Sequence, residues 1–364
     1  MDRRAPTAAK LINVPPLILL VKVGVIGCGS IGKIHIKNLK VVGAEVVAAC
    51  DVDEAELRYV KNNFGVEHLY TDYRDMIARS DLDAVVVATP NYLHHRMTVD
   101  ALREGKHVLC EKPPALTVRE VKEMYEASRK YGRSLLIGLT LRFRADSRAL
   151  RSYVEEVGIG APYYAHASLM RRSGIPGYGS WFTRKAEAGA GPLYDIGVHA
   201  LDITMWLMND FGVREVLAST YSKFGPRRRG LGTWGKPVPG GPFEVEDLAA
   251  AMFRMENGAT LYLEVSWASH IAGDYFRVLV LGDKGGLEFP GAKVFSEEGA
   301  LVDKQLKYQE EDPYVVEMRH FKEVVEKGVE PVTRPEEMVM LQAALEAALR
   351  SAAEGRLVRV SELL

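Results

Sequence analysis

The densest group of residues able to do chemistry lies between positions 189 and 202, in the run Gly189-Ala190-Gly191-Pro192-Leu193-Tyr194-Asp195-Ile196-Gly197-Val198-His199-Ala200-Leu201-Asp202. Pro192 suits the first position of a helix. On that helix Asp195 and His199 stand at i and i+4, and Asp202 follows three positions later, so all three share a face. A carboxylate beside an imidazole fixes its tautomer and orientation and supports the imidazolium form, as general base catalysis requires. The competing reading is an ion pair on a solvated face. The apolar neighbours Leu193, Ile196, Leu201 and Trp206 favour a half-buried cleft instead. Asp202 and Tyr194 are the next candidates for the base. One histidine with two carboxylates could hold zinc, but a third clear ligand is missing and no metal is expected.

Two further groups fall at predicted strand ends. One is Ala88-Thr89-Pro90-Asn91 with His94 a turn later, and the other is Glu111-Lys112-Pro113. Proline cannot continue a strand ladder, so both stop the chain at the mouth of a crevice. Thr89 and Asn91 can hydrogen-bond ribose or amide groups. Lys112 is either a cation at the mouth of an apolar cleft or a surface lysine paired with Glu111. Arg142, Arg171 and Arg172 could grip a carboxylate or phosphate on a substrate, or could simply be solvated.

The element that must position these groups begins at residue 21. An apolar run over 21–26 leads into Gly27-Cys28-Gly29-Ser30-Ile31-Gly32 and then a helical pattern. This is the G-x-G-x-x-G spacing of a dinucleotide-binding turn: the first glycine allows the tight turn, the second bares backbone to the pyrophosphate, and the third lets helix and strand pack closely. The helix N-terminus offers free N–H groups to phosphate. The whole run, Cys28, Ser30 and Ile31 included, is expected to touch the cofactor. Asp51 ends the next strand, nineteen positions beyond Gly32, where a carboxylate binds the adenosine ribose and repels a 2′-phosphate. NAD is therefore expected in preference to NADP. Arg58, a helical turn or more away, is the nearest cation that could reverse this.

Strand and helix alternate from 21 to 138, with strands at 21–26, 45–50, 84–88, 107–110 and 134–138 and helices near 31–40, 54–63, 73–79, 92–104 and 118–131. Their Val, Ile, Leu and Ala content suits strands buried on both faces of a doubly wound parallel sheet. Asp72 and Thr117 are expected N-caps, with Glu120 completing a capping box. Beyond 138 come a helix near 146–157, a strand near 163–170, an irregular stretch over 171–190, a helix over 192–208 and then strands at 215–223, 247–255, 260–267, 275–281 and 286–289. Asn257-Gly258 marks a hairpin. Residues 225–242 hold six Gly and four Pro and form an unusually long loop. Helices near 313–327 and 335–353 close the chain. The fold expected is α/β, an N-terminal Rossmann sheet followed by an α+β domain with a large, mostly antiparallel open sheet. The divisions expected are 1–20 as an N-terminal extension, 21–141 as the dinucleotide domain, 142–332 as the substrate and oligomerisation domain, and 333–364 as a C-terminal helix and tail.

The bulk composition restricts the function further. In 364 residues, 47% are hydrophobic and 26% charged, and the net charge of −1 argues against a surface devoted to nucleic acid. No apolar run reaches the length of a membrane span. Arg3, Arg4 and Lys10 ahead of the apolar run 17–21 loosely imitate a signal peptide, but no cleavage site follows and the run continues into the first strand, so residues 1–16 read as a loose extension or an overlong reading frame. Three cysteines, Cys28, Cys50 and Cys110, show no C-x-x-C spacing and fit a reducing, cytoplasmic compartment, either as small buried hydrophobes or as a cluster beside the cofactor.

The motifs GCGSIG, ATPNYLH, CEKPPALT and GAGPLYDIGVHALD, in this order, resemble those of the Gfo/Idh/MocA family. The similarity extends from about residue 21 to 359 and includes IGLTLRF at 137–143, Trp181 and VEDLAAAMFRMENGATLYLEVSW at 245–267. The resemblance implies a bound NAD(P), a sugar-like substrate over the second sheet, and a dimer or tetramer formed through that sheet. It implies Lys112 as the catalytic lysine beside an Asp195–His199 pair. It places the cofactor on Gly27, Gly29, Gly32, Asp51, Thr89, Asn91, His94, Glu111 and Lys112. Leu139 and Thr140 stand where the family often has tyrosine, and Ala190 interrupts its usual triple glycine. The activity expected is hydride transfer between nicotinamide and a secondary alcohol of a sugar, cyclitol or derivative. A redox-assisted glycosidase, a sugar–sugar oxidoreductase with tightly held cofactor and a non-catalytic dinucleotide sensor are the alternatives.

Overall fold

The computed structural model describes residues 20–297 and 299–364; the N-terminal stretch 1–16 lies outside them. The first sheet is parallel and six-stranded, in the order β3-β2-β1-β4-β5-β6. Its strands are β1 (Lys22–Ile26), β2 (Glu45–Cys50), β3 (His68–Tyr70), β4 (Ala84–Val87), β5 (His107–Glu111) and β6 (Leu135–Gly138). The helices α1 (Ser30–Val41), α2 (Glu54–Phe64), α3 (Tyr73–Ile77), α4 (Asn91–Arg103) and α5 (Val118–Tyr131) connect them. The expected caps form: the Asp72 carboxylate accepts from Arg74 N–H, and Thr117 with Glu120 makes a complete capping box. The short edge strand β3 was not expected. Its three residues are too few to show a period.

The second sheet has nine strands in the order β14-β13-β12-β11-β7-β10-β9-β8-β15. These are β7 (Pro162–Met170), β8 (Val213–Tyr221), β9 (Leu248–Met255), β10 (Thr260–Ser266), β11 (Tyr275–Gly282), β12 (Gly285–Phe289), β13 (Lys293–Glu297), β14 (Leu301–Gln305) and β15 (Val358–Arg359). All neighbours are antiparallel except β7 and β10. The Asn257-Gly258 turn joins β9 to β10 as its sequence predicts, with Gly258 at φ 90°. Helices α6 (Ala145–Glu156), α7 (Lys185–Ala188), α8 (Val198–Met208), α9 (Pro313–Lys327) and α10 (Pro335–Glu354) complete the fold. Among them α8 and α10 pack on the sheet, α8 against β7 and β11 and α10 against β8, while α9 crosses to α1 of the first sheet. Helix α8 is buried all round, so it runs through the core between layers. No helix among the described residues is long and apolar enough to cross a membrane.

The helix expected over 192–208 is not uniform. Residues Leu193–Gly197 form a wide π turn, and α8 proper starts at Val198. The turn is docked on the chain before β9: a Cβ on Gly191 would lie 2.0 Å from the Glu246 carbonyl oxygen, and Leu193 N–H donates to Glu246 Oε1 at 3.2 Å. π turns concentrate at functional sites, and this one carries Asp195.

Candidate active site

The β1–α1 turn has the shape a pyrophosphate needs. Gly27 adopts φ 91°, and a Cβ there would lie 2.3 Å from the Ala88 carbonyl oxygen; one on Gly32 would lie 1.9 Å from the carbonyl oxygen of Gly27. By contrast, open space surrounds the position a Gly29 Cβ would take. Two glycines are thus demanded by packing, and the third leaves backbone bare toward the crevice. The Asp51 carboxylate is fixed beside this turn, accepting from Cys28 N–H at 2.6 Å and Asp53 N–H at 2.8 Å. Thr89, just beyond the end of β4, has a buried hydroxyl with no partner. These features fit an adenine dinucleotide, with phosphates on the turn and ribose on Asp51.

Other residues assigned to the cofactor do structural work. The Asn91 side-chain N–H donates to the Ala188 carbonyl at 2.9 Å, tying the start of α4 to α7. His94 is buried between two carbonyls, Nδ1 2.8 Å from Pro113 O and Nε2 2.8 Å from Thr89 O. It therefore ties the two strand-end loops together. Burial pushes its pKa down, against the pull of those carbonyls and of Glu111. Pro90 is the N-cap of α4. Glu111 is buried and accepts from Lys112 N–H at 3.1 Å, while its other oxygen lies 2.6 Å from His35 Nε2. Burial would raise the Glu111 pKa, but His35 and Lys112 hold it below the usual carboxylate range.

Lys112 reaches across to the second sheet's side of the crevice. Its ammonium donates to Asp195 Oδ1 at 2.9 Å and to the Asp195 carbonyl at 2.8 Å. Trp267 Nε1–H donates to the other carboxylate oxygen at 2.8 Å. Burial opposes ionisation of Asp195, but the Lys112 charge and these hydrogen bonds hold its pKa below the usual value. The expected Asp195–His199 hydrogen bond is absent: His199 Nδ1 is buried without a partner. The physical reason is competition, since an ammonium and an otherwise unsatisfied indole N–H claim the carboxylate. Nor is His199 held as an imidazolium. Burial first, and then the nearby Lys112 charge, lower its pKa to about 3. A neutral imidazole thus stands within electrostatic reach of the Lys112 ammonium.

The arginines divide. Arg142, proposed for substrate, is buried in the core; its guanidinium bonds Asp202 at 2.6 Å and Glu337 at 2.6 Å. This also removes Asp202 from the reacting group. Tyr194, the other reserve base, is buried and donates to the Leu116 carbonyl at 3.0 Å. Arg171 is near enough for its charge to lower the pKa values of Asp195 and His199. Arg172 is exposed and donates to the Ala272 carbonyl at 3.0 Å. The cysteines are buried and unpaired in disulfides; Cys28 Sγ–H points at the Cys50 carbonyl at 3.6 Å, whereas Cys110 faces the Glu111 carbonyl at 3.4 Å. Burial pushes the thiols of Cys50 and Cys110 up to about 12, so they remain protonated and inert.

Sequence reasoning missed His35, Trp267 and Glu317. His35 follows Gly32 by three positions on α1, and the inward side of that helix was its one available signal. Trp267 ends the alternating β10 pattern on the inner face. Glu317, on α9, is fully buried, and the Thr140 hydroxyl lies 3.3 Å from both its oxygens. Burial and then the charge of Glu111 push its pKa far up.

Comparison with known proteins identifies the family. The family profile described as an oxidoreductase family with an NAD-binding Rossmann fold matches residues 21–139, and the Gfo/Idh/MocA C-terminal domain matches 147–288. D-glucoside 3-dehydrogenase of Escherichia coli is 31% identical over 344 residues, covering 93% of this chain and 97% of that protein. Levoglucosan dehydrogenase of Pseudarthrobacter phenanthrenivorans is 30% identical over 289 residues, 73% of each chain. A solved levoglucosan dehydrogenase complex with NADH superposes with a TM-score of 0.81 at 23% identity, over 93% of this chain and 99% of that one, and supports the fold. These matches, over most of its length, make the chain a member of the Gfo/Idh/MocA family of NAD-binding oxidoreductases.

Proposed function

We propose that the protein oxidises a secondary alcohol of a sugar, cyclitol or related polyol with NAD, and runs the reverse reduction when the carbonyl is in excess. The observation that carries this reading is the pairing of a neutral, partnerless His199 with the Lys112 ammonium beside a dinucleotide crevice. His199 takes the hydroxyl proton. Lys112 donates to the same oxygen and stabilises the alkoxide that develops there. Asp195 positions Lys112 and offsets its charge; Trp267 fixes Asp195. Bound NAD supplies the hydride acceptor. The related D-glucoside 3-dehydrogenase, levoglucosan dehydrogenase and inositol 2-dehydrogenase act, by their names, on sugars or a cyclitol.

The cofactor residues of this reading are Gly27–Gly32, Asp51, Thr89 and Lys112, while Asn91, His94 and Glu111 support them. We place the protein in the cytoplasm, in keeping with three free cysteines, as a homodimer or homotetramer assembled through the second sheet. The test is a panel of sugars, inositols and nucleotide sugars offered with NAD and with NADP, following the absorbance of the reduced cofactor. Turnover of at least one polyol, with NAD preferred, is expected. Failure across the panel, or a preference for NADP, would contradict it.

A further inference from the structure

The net charge of the chain is −1, yet two segments carry cations and no acid. Residues 171–185 contain Arg171, Arg172, Arg184 and Lys185, and residues 223–236 contain Lys223, Arg227, Arg228, Arg229 and Lys236. Several of these charges are already engaged. Arg184 pairs with Glu187 at 3.1 Å, and Lys236 crosses to Glu56 and Asp53 on α2 and its cap. Among the described residues, no carboxylate lies within ion-pair distance of Arg171, Arg227, Arg228 or Arg229, and none of their guanidinium groups has a hydrogen-bond acceptor.

These four are held in place by buried structure. Asp247 is 1% exposed, and its Oδ2 accepts from the N–H groups of Lys223, Phe224 and Gly225 at 2.7, 2.6 and 2.9 Å. That clamp starts the single 3₁₀ turn Gly225–Arg227, after which Arg228 takes a left-handed φ of 53° and stacks 5.7 Å over the Tyr178 ring. The next residue but one, Gly230, accepts from the N–H groups of Gly174 and Ile175 at 3.0 and 2.9 Å. A Cβ on Gly174 would fall 2.7 Å from Arg171 Cδ, so the Arg171 side chain lies over that same contact. Arg171 is in turn anchored by its backbone to Ser266 at 3.0 Å, one residue before the tryptophan that holds Asp195. The arginine turn and Arg171 therefore flank one glycine contact, with Arg171 on the side of the reacting groups.

We propose that the alcohol substrate also bears a phosphoryl group, gripped by Arg171 and the Arg227–Arg229 turn while its hydroxyl meets His199 and Lys112. This rests on the dehydrogenase reading above. A carboxylate is satisfied by one bidentate guanidinium; four unpaired ones suit the larger charge and three oxygens of a phosphoryl group. The exposed triplet lies outside the cleft, which places the phosphoryl group on an arm leading out of it. Both a sugar monophosphate and a nucleoside-diphosphate sugar have this chemistry.

The test uses the full chain loaded with NADH, titrated calorimetrically at physiological salt with inorganic phosphate, pyrophosphate and UDP. Saturable binding is expected, weakened about tenfold or more by Arg171→Gln and by the triple change R227Q/R228Q/R229Q, since charge-assisted bonds of this kind are each worth that much. UDP binding tighter than phosphate identifies a nucleotide-linked sugar, and the reverse order a monophosphate. Thermal melts check that both variants fold, and Arg171→Lys, which keeps the charge, should restore part of the binding. Absence of saturable binding, or binding that neither variant weakens, overturns the proposal. The assay needs no turnover, so it can fail while a neutral polyol is oxidised, and it can succeed when every panel alcohol is inert.

Discussion

In the proposed reading Lys112 and His199 serve one substrate oxygen, and the fold treats their protons differently. Lys112 is given a counter-ion, Asp195, while His199 is given none and is buried as a neutral ring. His199→Asn keeps a side chain of similar size and removes the base, so the turnover number should fall by about 10²–10⁴-fold. Lys112→Met should also lower turnover, and the double variant should lose less than the product of the single losses, because both groups serve one oxygen. NAD affinity, measured separately by fluorescence, should change little in His199→Asn. A wild-type turnover number in that variant would place the base elsewhere. The pH profile is a second check. A depressed pKa keeps His199 able to accept a proton at lower pH, so activity should persist below the ordinary histidine value of ~6.5 and be lost as pH falls toward the depressed one. An acid limb of kcat/KM centred at ~6.5 would contradict this. Both residues were singled out from the sequence as serving one oxygen, but the partner of Asp195 was not foreseen. Spacing along a helix says which side chains share a face; it cannot say that a lysine eighty-three positions away and the indole just after β10 would claim Asp195 first.

Among the elements, the regular ones were the easiest to read. The parallel strands showed as apolar runs and the hairpin as Asn257-Gly258, because local period and turn chemistry decide them. The π turn before α8 was illegible, since it follows from docking Gly191 against Glu246, a tertiary contact. So was the parallel pairing of β7 with β10, which brings together segments about a hundred residues apart. Arg142 was misread for a related reason: a lone arginine after a strand looks alike whether it meets substrate or core. Here it joins the 3₁₀ turn after β6 to α8 through Asp202 and to α10 through Glu337. Burial raises the Asp202 pKa against the pull of Arg142, so desolvation opposes the attraction of the pair. Arg142→Met should leave two carboxylates without their cation and cost about 3–5 kcal/mol of stability. Urea denaturation would measure it. NAD affinity of the folded fraction should remain close to wild type, because neither the glycine turn nor Asp51 touches this group. A variant as stable as wild type would show that the triad contributes no net stability.

At the scale of the whole molecule, the helices among the described residues cover the nine-stranded sheet on one face only. Helices α8 and α10 lie against the row Ala218, Ala251, Leu263, Ala167 and Val278, in register across five strands. The adjacent row, on the opposite face, runs Leu217, Met252, Tyr262, His166 and Leu279. Leu217 is 45% and Tyr262 40% exposed, and Tyr164 packs beside Tyr262 at 6.0 Å between ring centres. A row that is apolar or aromatic at every position but His166 has the composition of an interface core. In the proposed homo-oligomer a second copy of the chain covers this face, an isologous contact laying each band across its equivalent, and a stable dimer needs about 800 Å² from each partner. Light scattering at micromolar concentration should give two or four times the chain mass. Leu217→Lys with Tyr262→Lys puts like charges against each other across the two-fold axis, so the double variant should dissociate to monomer while retaining its NAD site, which lies on the other sheet. A wild-type protein of single-chain mass would sink the idea, and so would a double variant that keeps the larger mass, because the contact would then lie on another face.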